Sequence, residues 1–201
     1  MAISEELMQG EVCSEDTIVR DDDALREPYA QPRFLAVLDQ LDRSCRLFIA
    51  HSPLVVIATT TPDNGIDVSP RGDAPGFVRV LDDHTLVIPD RTGNNRLDSM
   101  GNLVVNNEIG LFFMIPGVHE SLRIKGTATM SRDPELIAAS IVDGKPPKTM
   151  LVVSVYWAFI HCGKALNRSR VWTQDYFVDA NKWKLARGTL ENSFESAVKL
   201  R

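Results

Sequence analysis

Residues 54–69 read LVVIATTTPDNGIDVS, and this stretch decides the class of fold. Its first half is rich in β-branched side chains, as is typical of a strand. An Asn-Gly pair at residues 64–65 then supplies the positive φ that a tight hairpin turn requires. Residues 66–69 are expected to return as the second strand. The stretch therefore predicts an antiparallel β-hairpin.

Three helices are predicted around the strands. Residues 32–50 carry apolar side chains at helical spacing, and residues 95–106 predict a short helix inserted between strands. Asp133 is expected to cap a brief third helix whose first residue is Pro134. The apolar side chains expected to face inward from the short inserted helix are Leu97, Met100, Leu103 and Val104.

The chain has about six predicted strands at short spacing. This pattern favours a mainly β protein, a closed antiparallel barrel with peripheral helices, over a doubly wound parallel sheet. No strand is followed by GxGxxG or by a Walker loop, which excludes the nucleotide-binding folds built on those motifs. Beyond the first hairpin, the predicted strands are residues 77–81, 85–88, 109–115, 122–130 and 150–160.

The composition is that of an ordinary globular protein, with 201 residues, 44% apolar and 24% charged. No apolar run reaches the ~18 residues of a membrane span, and the N-terminus lacks the basic and apolar regions of a secretory signal. The three cysteines form no CxxC pair, so neither a disulfide framework nor a metal site is expected. We therefore expect a cytoplasmic protein without a metal and without a membrane segment.

Charge is distributed unevenly along the chain. The first 30 residues hold nine acidic and two basic side chains, whereas the remainder holds 18 acidic and 20 basic ones. This predicts an acidic N-terminal arm at residues 1–31, a barrel domain at residues 32–172, and a C-terminal tail at residues 173–201. The tail is expected to pack on the barrel or on a dimer partner.

Residues 144–174 contain five basic side chains and no acidic one. Such a strip can hold an anion, and it can equally be a solvated face. It is too poor in bases for a nucleic-acid surface, which needs many phosphate contacts.

The segment Ser69-Pro70-Arg71-Gly72-Asp73 follows the first hairpin. A glycine lets the backbone approach a ligand closely, and the planar fork of Arg71 suits a phosphate or a ring carbonyl. The alternative is a plain turn with a solvent-exposed Arg–Asp pair.

A second polar segment, PDRTGNNRL, occupies residues 89–97, where a strand ends and a helix is predicted to begin. Backbone N–H groups and the helix dipole favour an anion at such a place. Asn95 and Arg96 are expected in the first helical turn, where they can donate to a phosphate. The alternative is ordinary capping by Asn94 or Asn95, with Arg96 on the surface.

The third segment, HCGKALNRSRVW, occupies residues 161–172 and leaves the last predicted strand. Trp172 can stack on a ring, although a tryptophan is more often a core or interface residue. Lys164, Arg168 and Arg170 can face an anionic ligand. His161 has no second histidine nearby, so a structural role is expected for it.

Together, the three segments in this order resemble the pyridoxamine 5′-phosphate oxidase-like, FMN-binding split-barrel superfamily. The resemblance lies in DVSPRGD at 67–73, in IPDRTGNNRLD at 88–98, and in HCGKAL at 161–166 followed by RSR. It extends over residues 33–172. It implies a six-stranded antiparallel split barrel and a homodimer with two FMN sites at the subunit interface.

The resemblance also implies which residues hold the cofactor. Ser69 and Arg71 should lie near the isoalloxazine ring or the ribityl chain, and Asn95 with Arg96 near the phosphate. The third motif should contribute from the same subunit or from the partner. The full implied set is Ser69, Arg71, Pro89, Asn94, Asn95, Arg96, Lys164, Arg168 and Trp172. No catalytic acid, base or nucleophile is identified.

The function implied is that of an FMN-dependent oxidoreductase acting on a small organic molecule. The basic run and the C-terminal Arg-x-His motif of the vitamin B6 oxidase are absent, so pyridoxamine phosphate is not the expected substrate. One alternative is a non-catalytic FMN-binding or sensing module. Another is a barrel without flavin that holds a different phosphate ester or a haem-type ligand.

Overall fold

The computed structural model describes residues 18–29, 37–93, 95–180 and 183. The chain divides into two units, one up to Ala36 and one from Val37 onward. In the first unit the described residues form helix α1 (Asp22–Arg26), whose N-terminus is capped by the Asp21 carboxylate. This helix lies within the predicted acidic arm. Most of the predicted C-terminal tail lies outside the described residues.

The second unit is built on one antiparallel sheet with strand order β2-β1-β5-β6-β7-β4-β3. Four short α-helices and one 3-10 helix surround the sheet within the described residues. The strands are β1 (Leu54–Thr61), β2 (Gly65–Gly72), β3 (Arg79–Val80), β4 (Thr85–Pro89), β5 (Glu108–Met114), β6 (Ser121–Ser131) and β7 (Met150–His161). The helices are α2 (Arg43–His51), α3 (Asp98–Val105), α4 (Pro134–Ala138), α5 (Lys164–Ser169) and the 3-10 turn Gln174–Tyr176.

The mainly β, antiparallel prediction is confirmed, with seven strands where six were expected. The strand predicted at residues 77–81 is present but shorter, because β3 has only two residues and pairs only with β4. The opening hairpin forms as predicted, and Gly65 takes a φ of 65° at the turn.

The sheet curls on itself to make a split barrel. Arg71 on β2 and Asp90, the residue after β4, are 3.0 Å apart, although four strands separate β2 from β4 in the sheet order. The core lies inside this curl. It consists of alternate side chains of the strands, such as Ile57 and Phe113, together with the inward face of α2. Burial in that core raises the pKa of the Cys45 thiol to about 12.

The helix predicted at residues 32–50 is wrong over residues 37–42, the first described residues of that range. Leu38 forms an isolated bridge with Ala158, and the helix begins only at Arg43. The start is set by Asp42, whose carboxylate accepts a hydrogen bond of 2.8 Å from the backbone N–H of Cys45. Apolar spacing alone did not locate this cap.

The predicted helix at residues 95–106 begins later, at Asp98. Two of the predicted inward side chains, Met100 and Leu103, are buried as expected. The other two, Leu97 and Val104, are 65% and 73% exposed, and Ser99 and Asn102 are buried instead. Asn102 donates to the hydroxyl of Thr59 at 3.2 Å. Polar partners on β1 and β2 therefore orient this helix, which hydrophobic periodicity could not reveal.

The predicted start of the third helix is confirmed, since Asp133 caps α4 and Pro134 is its first residue. Among the helices that the structure describes, none has the length and apolar character needed to cross a membrane.

Candidate functional site

Strand β2 presents a polar row toward the inside of the barrel. Asp67, Ser69 and Arg71 alternate along it, and each pairs in register with an inward residue of β1. Successive strand residues point to opposite faces, so these three side chains share one side. The second strand extends beyond its predicted end at residue 69, because Arg71 and Gly72 complete it.

A cavity of about 530 Å³ lies between this polar row and the segment that follows β4. It brings the first two sequence motifs together, including four of the expected cofactor residues, Ser69, Arg71, Pro89 and Arg96. We call it the β2 cavity. Its complete lining is Asp67, Val68, Ser69, Pro70, Arg71, Gly72, Phe77, Pro89, Arg91, Thr92, Gly93, Arg96, Asp98 and Ser99.

Arg71 is the most enclosed cation of the two motifs. Its Nη1 donates to Asp90 at 3.0 Å, and the two side chains are only 20% and 17% exposed. Its Nε is buried and has no hydrogen-bond partner. A buried N–H without an acceptor is costly, so this guanidinium has capacity left for a ligand oxygen or a water.

The other two arginines of the β2 cavity are also ion-paired. Arg91 donates through Nε to Asp73 at 2.7 Å, and Arg96 donates through Nε to Asp98 at 2.8 Å. Asp98 raises the pKa of Arg96 further, although Arg96 itself is 75% exposed. The positive charges of these arginines are therefore largely neutralised by their aspartate partners. A bound anion must compete with those carboxylates for the guanidinium groups.

Helix α3 starts at the wall of the β2 cavity. Leu97 occupies its N-cap position and makes no side-chain capping hydrogen bond. The first backbone N–H groups of a helix carry partial positive charge, which favours an anion when no side chain caps them. Asp98 and Ser99 line the cavity at this point, and Ser99 donates to Asp67. Arg96 therefore lies before the helix, and its predicted place in the first turn is wrong.

Asn94 lies outside the described residues, and Asn95 does not line the β2 cavity. Asn95 has a φ of 57°, which excludes it from the predicted first helical turn. Its side-chain oxygen accepts a hydrogen bond of 2.8 Å from Lys148. Lys148 belongs to the basic strip, so the strip reaches the second motif through this contact.

The third motif does not line the β2 cavity within one chain. Trp172 donates its indole N–H to the carbonyl of Val118 at 2.8 Å, in the turn between β5 and β6. Gly163 packs closely on His119 of that turn. Lys164 and Arg168 are exposed on α5. Pro89 at the cavity pairs with Met150 at the start of β7, whereas the third motif follows His161 at the end of that 12-residue strand, so the length of β7 keeps these motifs apart within one chain.

The outer face of the sheet carries exposed apolar side chains and half-buried aromatic ones. Ile66 and Val68 on β2 are 78% and 61% exposed. On β7, the rings of Trp157 and Phe159 lie 5.9 Å apart, and Lys125 lies 5.0 Å from the centre of the Trp157 ring. Hydrophobic surface of this kind is common at contacts between subunits.

Several lining residues were not singled out from the sequence. Asp67 could have been found, because strand alternation places it in line with Ser69 and Arg71. Arg91 belongs to the second motif, but it was not predicted from the sequence to be a cofactor-binding residue. Phe77 comes from a separate part of the chain, and only the curl of the sheet brings it to the cavity.

Histidine, cysteine, lysine and tyrosine are absent from the described lining of the β2 cavity. In the part of the chain that the structure describes, no group of three or more His, Cys, Asp or Glu side chains is placed to hold a metal ion.

The fold and the cavity define a class, the antiparallel split barrels with a polar cavity beside the second strand. Residues 41–162 match the family model described as pyridoxamine 5′-phosphate oxidase. The match covers more than half of the chain, and the chain belongs to this family. No curated protein matches it significantly.

Solved structures with a similar backbone share little sequence with this chain. HupZ of Group A Streptococcus is 19% identical, covers 59% of this chain and 92% of its own, and has a TM-score of 0.48. General stress protein 26 of Bacillus anthracis is 12% identical, with coverage of 57% and 88% and a TM-score of 0.44. HutZ, the haem storage protein of Vibrio cholerae, is 15% identical, with coverage of 61% and 95% and a TM-score of 0.39.

Proposed function

We propose that this protein binds FMN in the β2 cavity and is an FMN-dependent oxidoreductase acting on a small organic molecule. The observation that carries the proposal is Arg71, an enclosed arginine whose buried Nε lacks an acceptor, in a cavity lined by both flavin-type motifs. A volume of about 530 Å³ is within the range of cofactor sites.

The chain's own residues fit such a group in distinct roles. Arg71 would donate to an oxygen of the ring or the ribityl chain, while Asp90 holds the guanidinium in place. Arg96 and the uncapped N-terminus of α3 would hold the phosphate, with Arg96 exchanging part of its contact with Asp98. Phe77 supplies an apolar wall that excludes water. The bound flavin would supply hydride or electron transfer, which protein side chains cannot perform.

We further propose that two copies pair through the outer face of the sheet. Within one chain Lys164, Arg168 and Trp172 stay away from the β2 cavity, and the exposed Ile66 and Val68 adjoin it on β2. Pairing would bury this apolar surface and let the third motif of one subunit approach the cavity of the other.

A non-catalytic flavin-binding module is the second candidate, and one observation favours it. The described lining contains no histidine, the side chain that most often moves protons in enzymes, and no cysteine, lysine or tyrosine. Its two carboxylates, Asp67 and Asp98, already accept hydrogen bonds from Ser99 and Arg96. Haem is less well supported, because none of the described lining residues is a histidine that could ligate iron.

The test is flavin binding by the purified full-length protein. We expect near-ultraviolet and blue absorption bands, and saturable quenching of FMN fluorescence by protein stripped of its flavin. Arg71→Met should weaken FMN binding by about tenfold or more, because it removes a charge-assisted hydrogen bond. Arg43→Met is the matched control, since Arg43 is exposed on α2 and lies outside the cavity lining.

The outcomes separate the candidates. Equal FMN affinity in Arg71→Met and in the Arg43→Met control would show that the flavin is bound elsewhere. Bleaching by NADH or NADPH followed by steady turnover with an acceptor supports the oxidoreductase. Tight FMN binding without turnover supports the non-catalytic module.

A further inference from the structure

A second, smaller cavity of about 200 Å³ adjoins the β2 cavity. It lies between the segment after β2 and the turn that follows α4, and we call it the Arg79 cavity. Phe77 and Arg91 line both cavities, so the two are separated by a shared wall. Its lining is Asp73, Ala74, Pro75, Gly76, Phe77, Arg79, Arg91, Ala139, Ser140, Ile141 and Val142.

Two polar side chains of the Arg79 cavity have buried atoms without hydrogen-bond partners. One is Nη1 of Arg79, and the other is the hydroxyl of Ser140, a residue that is only 7% exposed. Buried donors in folded proteins nearly always have a partner, which is either protein, water or ligand. Both residues line the Arg79 cavity, so an oxygen-bearing occupant there would supply the missing acceptors.

The charges around the cavity indicate which kind of occupant fits. Arg91 is already satisfied, because Nε donates to Asp73 at 2.7 Å and Nη1 donates to the carbonyl of Ser140. Among the described residues no carboxylate forms an ion pair with Arg79, so Arg79 supplies one uncompensated positive charge. The carboxylate of Asp73 in the same wall disfavours a doubly charged phosphate.

We propose that the Arg79 cavity binds the carboxylate group of a small organic acid. A carboxylate matches the planar fork of Arg79 and has a lone pair left for the hydroxyl of Ser140. Because the two cavities adjoin at Phe77 and Arg91, we assign this acid as the substrate. The assignment as substrate rests on the proposed function, whereas binding of the carboxylate does not.

Propionate is the probe, with propionamide as the uncharged analogue of the same shape and inorganic phosphate as the competing anion. Backbone NMR signals of the full-length protein, as purified, are followed during each titration. We expect saturable shifts for propionate at residues 139–142, weaker ones for phosphate, and none for propionamide. Saturation by propionamide, or tighter binding of phosphate than of propionate, would overturn the carboxylate assignment.

Variants test the two side chains. Arg79→Met should weaken propionate binding by about tenfold or more, and Arg79→Lys should restore part of it because the charge returns without the fork. Ser140→Ala should weaken binding by about threefold and provides an independent variant if Arg79→Met does not fold. Arg43→Met serves as control. If Arg79→Met and Ser140→Ala both bind propionate as tightly as the wild-type protein, the proposal is wrong.

A flavin readout separates this inference from the proposed function. Propionate is expected to shift the absorption bands of the FMN-loaded protein, while Arg79→Met leaves FMN affinity unchanged. A protein that binds propionate through Arg79 but takes up no FMN would refute the flavin proposal and leave the carboxylate site standing. A protein that binds FMN but gives no saturable propionate shifts would refute the carboxylate site and leave the flavin proposal standing.

Discussion

At the scale of single residues, Gly126 permits the closest approach between two long strands. The pairing of β6 with β7 shifts register between Lys125 and Gly126. A Cβ at Gly126 would collide with the backbone carbonyl of Ser154 and lie 3.0 Å from a methyl of Val153. Because the obstacle includes backbone, no side-chain rotation can relieve it, and the bulge therefore depends on glycine.

Gly126→Ala is expected to lower the free energy of unfolding by about 1–3 kcal/mol, the usual cost of forcing a methyl group into packed structure. Gly110→Ala on β5 is the control, because the nearest atom to its Cβ would be 3.7 Å away. Urea denaturation of both variants measures the difference. Equal stability would mean that the bulge relaxes freely.

At the scale of elements, aspartate side chains cap the starts of α1, α2 and α4. Asp42 begins α2 by accepting the backbone N–H of Cys45, and this hydrogen bond lowers the pKa of its carboxyl. A carboxyl whose pKa is lower in the folded protein stabilises the fold at neutral pH, and that contribution fades as the pH falls through its folded pKa. Helix α2 matters because Phe48 and Ile49 close one side of the core.

Asp42→Ala should therefore reduce stability at neutral pH by about 1 kcal/mol, the typical value of an N-cap. The difference from wild type should shrink as the pH falls below 3.8, the ordinary value for the group, where the wild-type carboxylate becomes protonated. Thermal unfolding at several pH values checks both parts. A deficit that stays constant into acid would rule out the charged cap as its source.

At the scale of the whole molecule, the two faces of the sheet differ in what they contact. The inner face builds the core and the polar row of the β2 cavity, while the outer face leaves Ile66 and Val68 in solvent. We propose that a second copy of the chain covers this apolar face. Pairing of copies is therefore best tested together with flavin retention.

Ile66→Asp is expected to convert a dimer into a monomer and to reduce FMN retention, because Ile66 lies on the outer face but does not line the β2 cavity, and a carboxylate cannot be buried unpaired in an apolar contact. Leu47→Asp is the control, since Leu47 is 60% exposed on α2 and lies away from the outer sheet face. Light scattering after size exclusion, with absorbance at the flavin bands, measures both effects. A monomeric wild-type protein that retains FMN would contradict the pairing.

Local patterns predicted the strands well, and the reason is visible in β1. Its residues alternate between half-buried and buried along the whole strand, so sequence and environment share a period of two. The Asn-Gly turn and the Asp133-Pro134 cap were also predicted from the sequence, because each depends only on a few neighbouring residues.

The helix α3 shows where local patterns failed. Its buried face carries Ser99 and Asn102, whose partners Asp67 and Thr59 are more than 30 positions away in sequence. A periodicity argument that assigns apolar residues to the inside selects Met100 and Leu103 correctly, but it also selects Leu97 and Val104, which are exposed. The buried face therefore combines two apolar side chains with two polar ones that make long-range hydrogen bonds.

By itself the sequence determined the antiparallel β architecture and two of the segments that line the β2 cavity, because hydrophobic alternation and turn chemistry are local properties. Only the tertiary structure decided that Arg71 meets Asp90, that Arg91 is already paired, and that Arg79 and Ser140 share a cavity. These relations depend on how a seven-stranded sheet curls, and that curl is set by packing of the entire core.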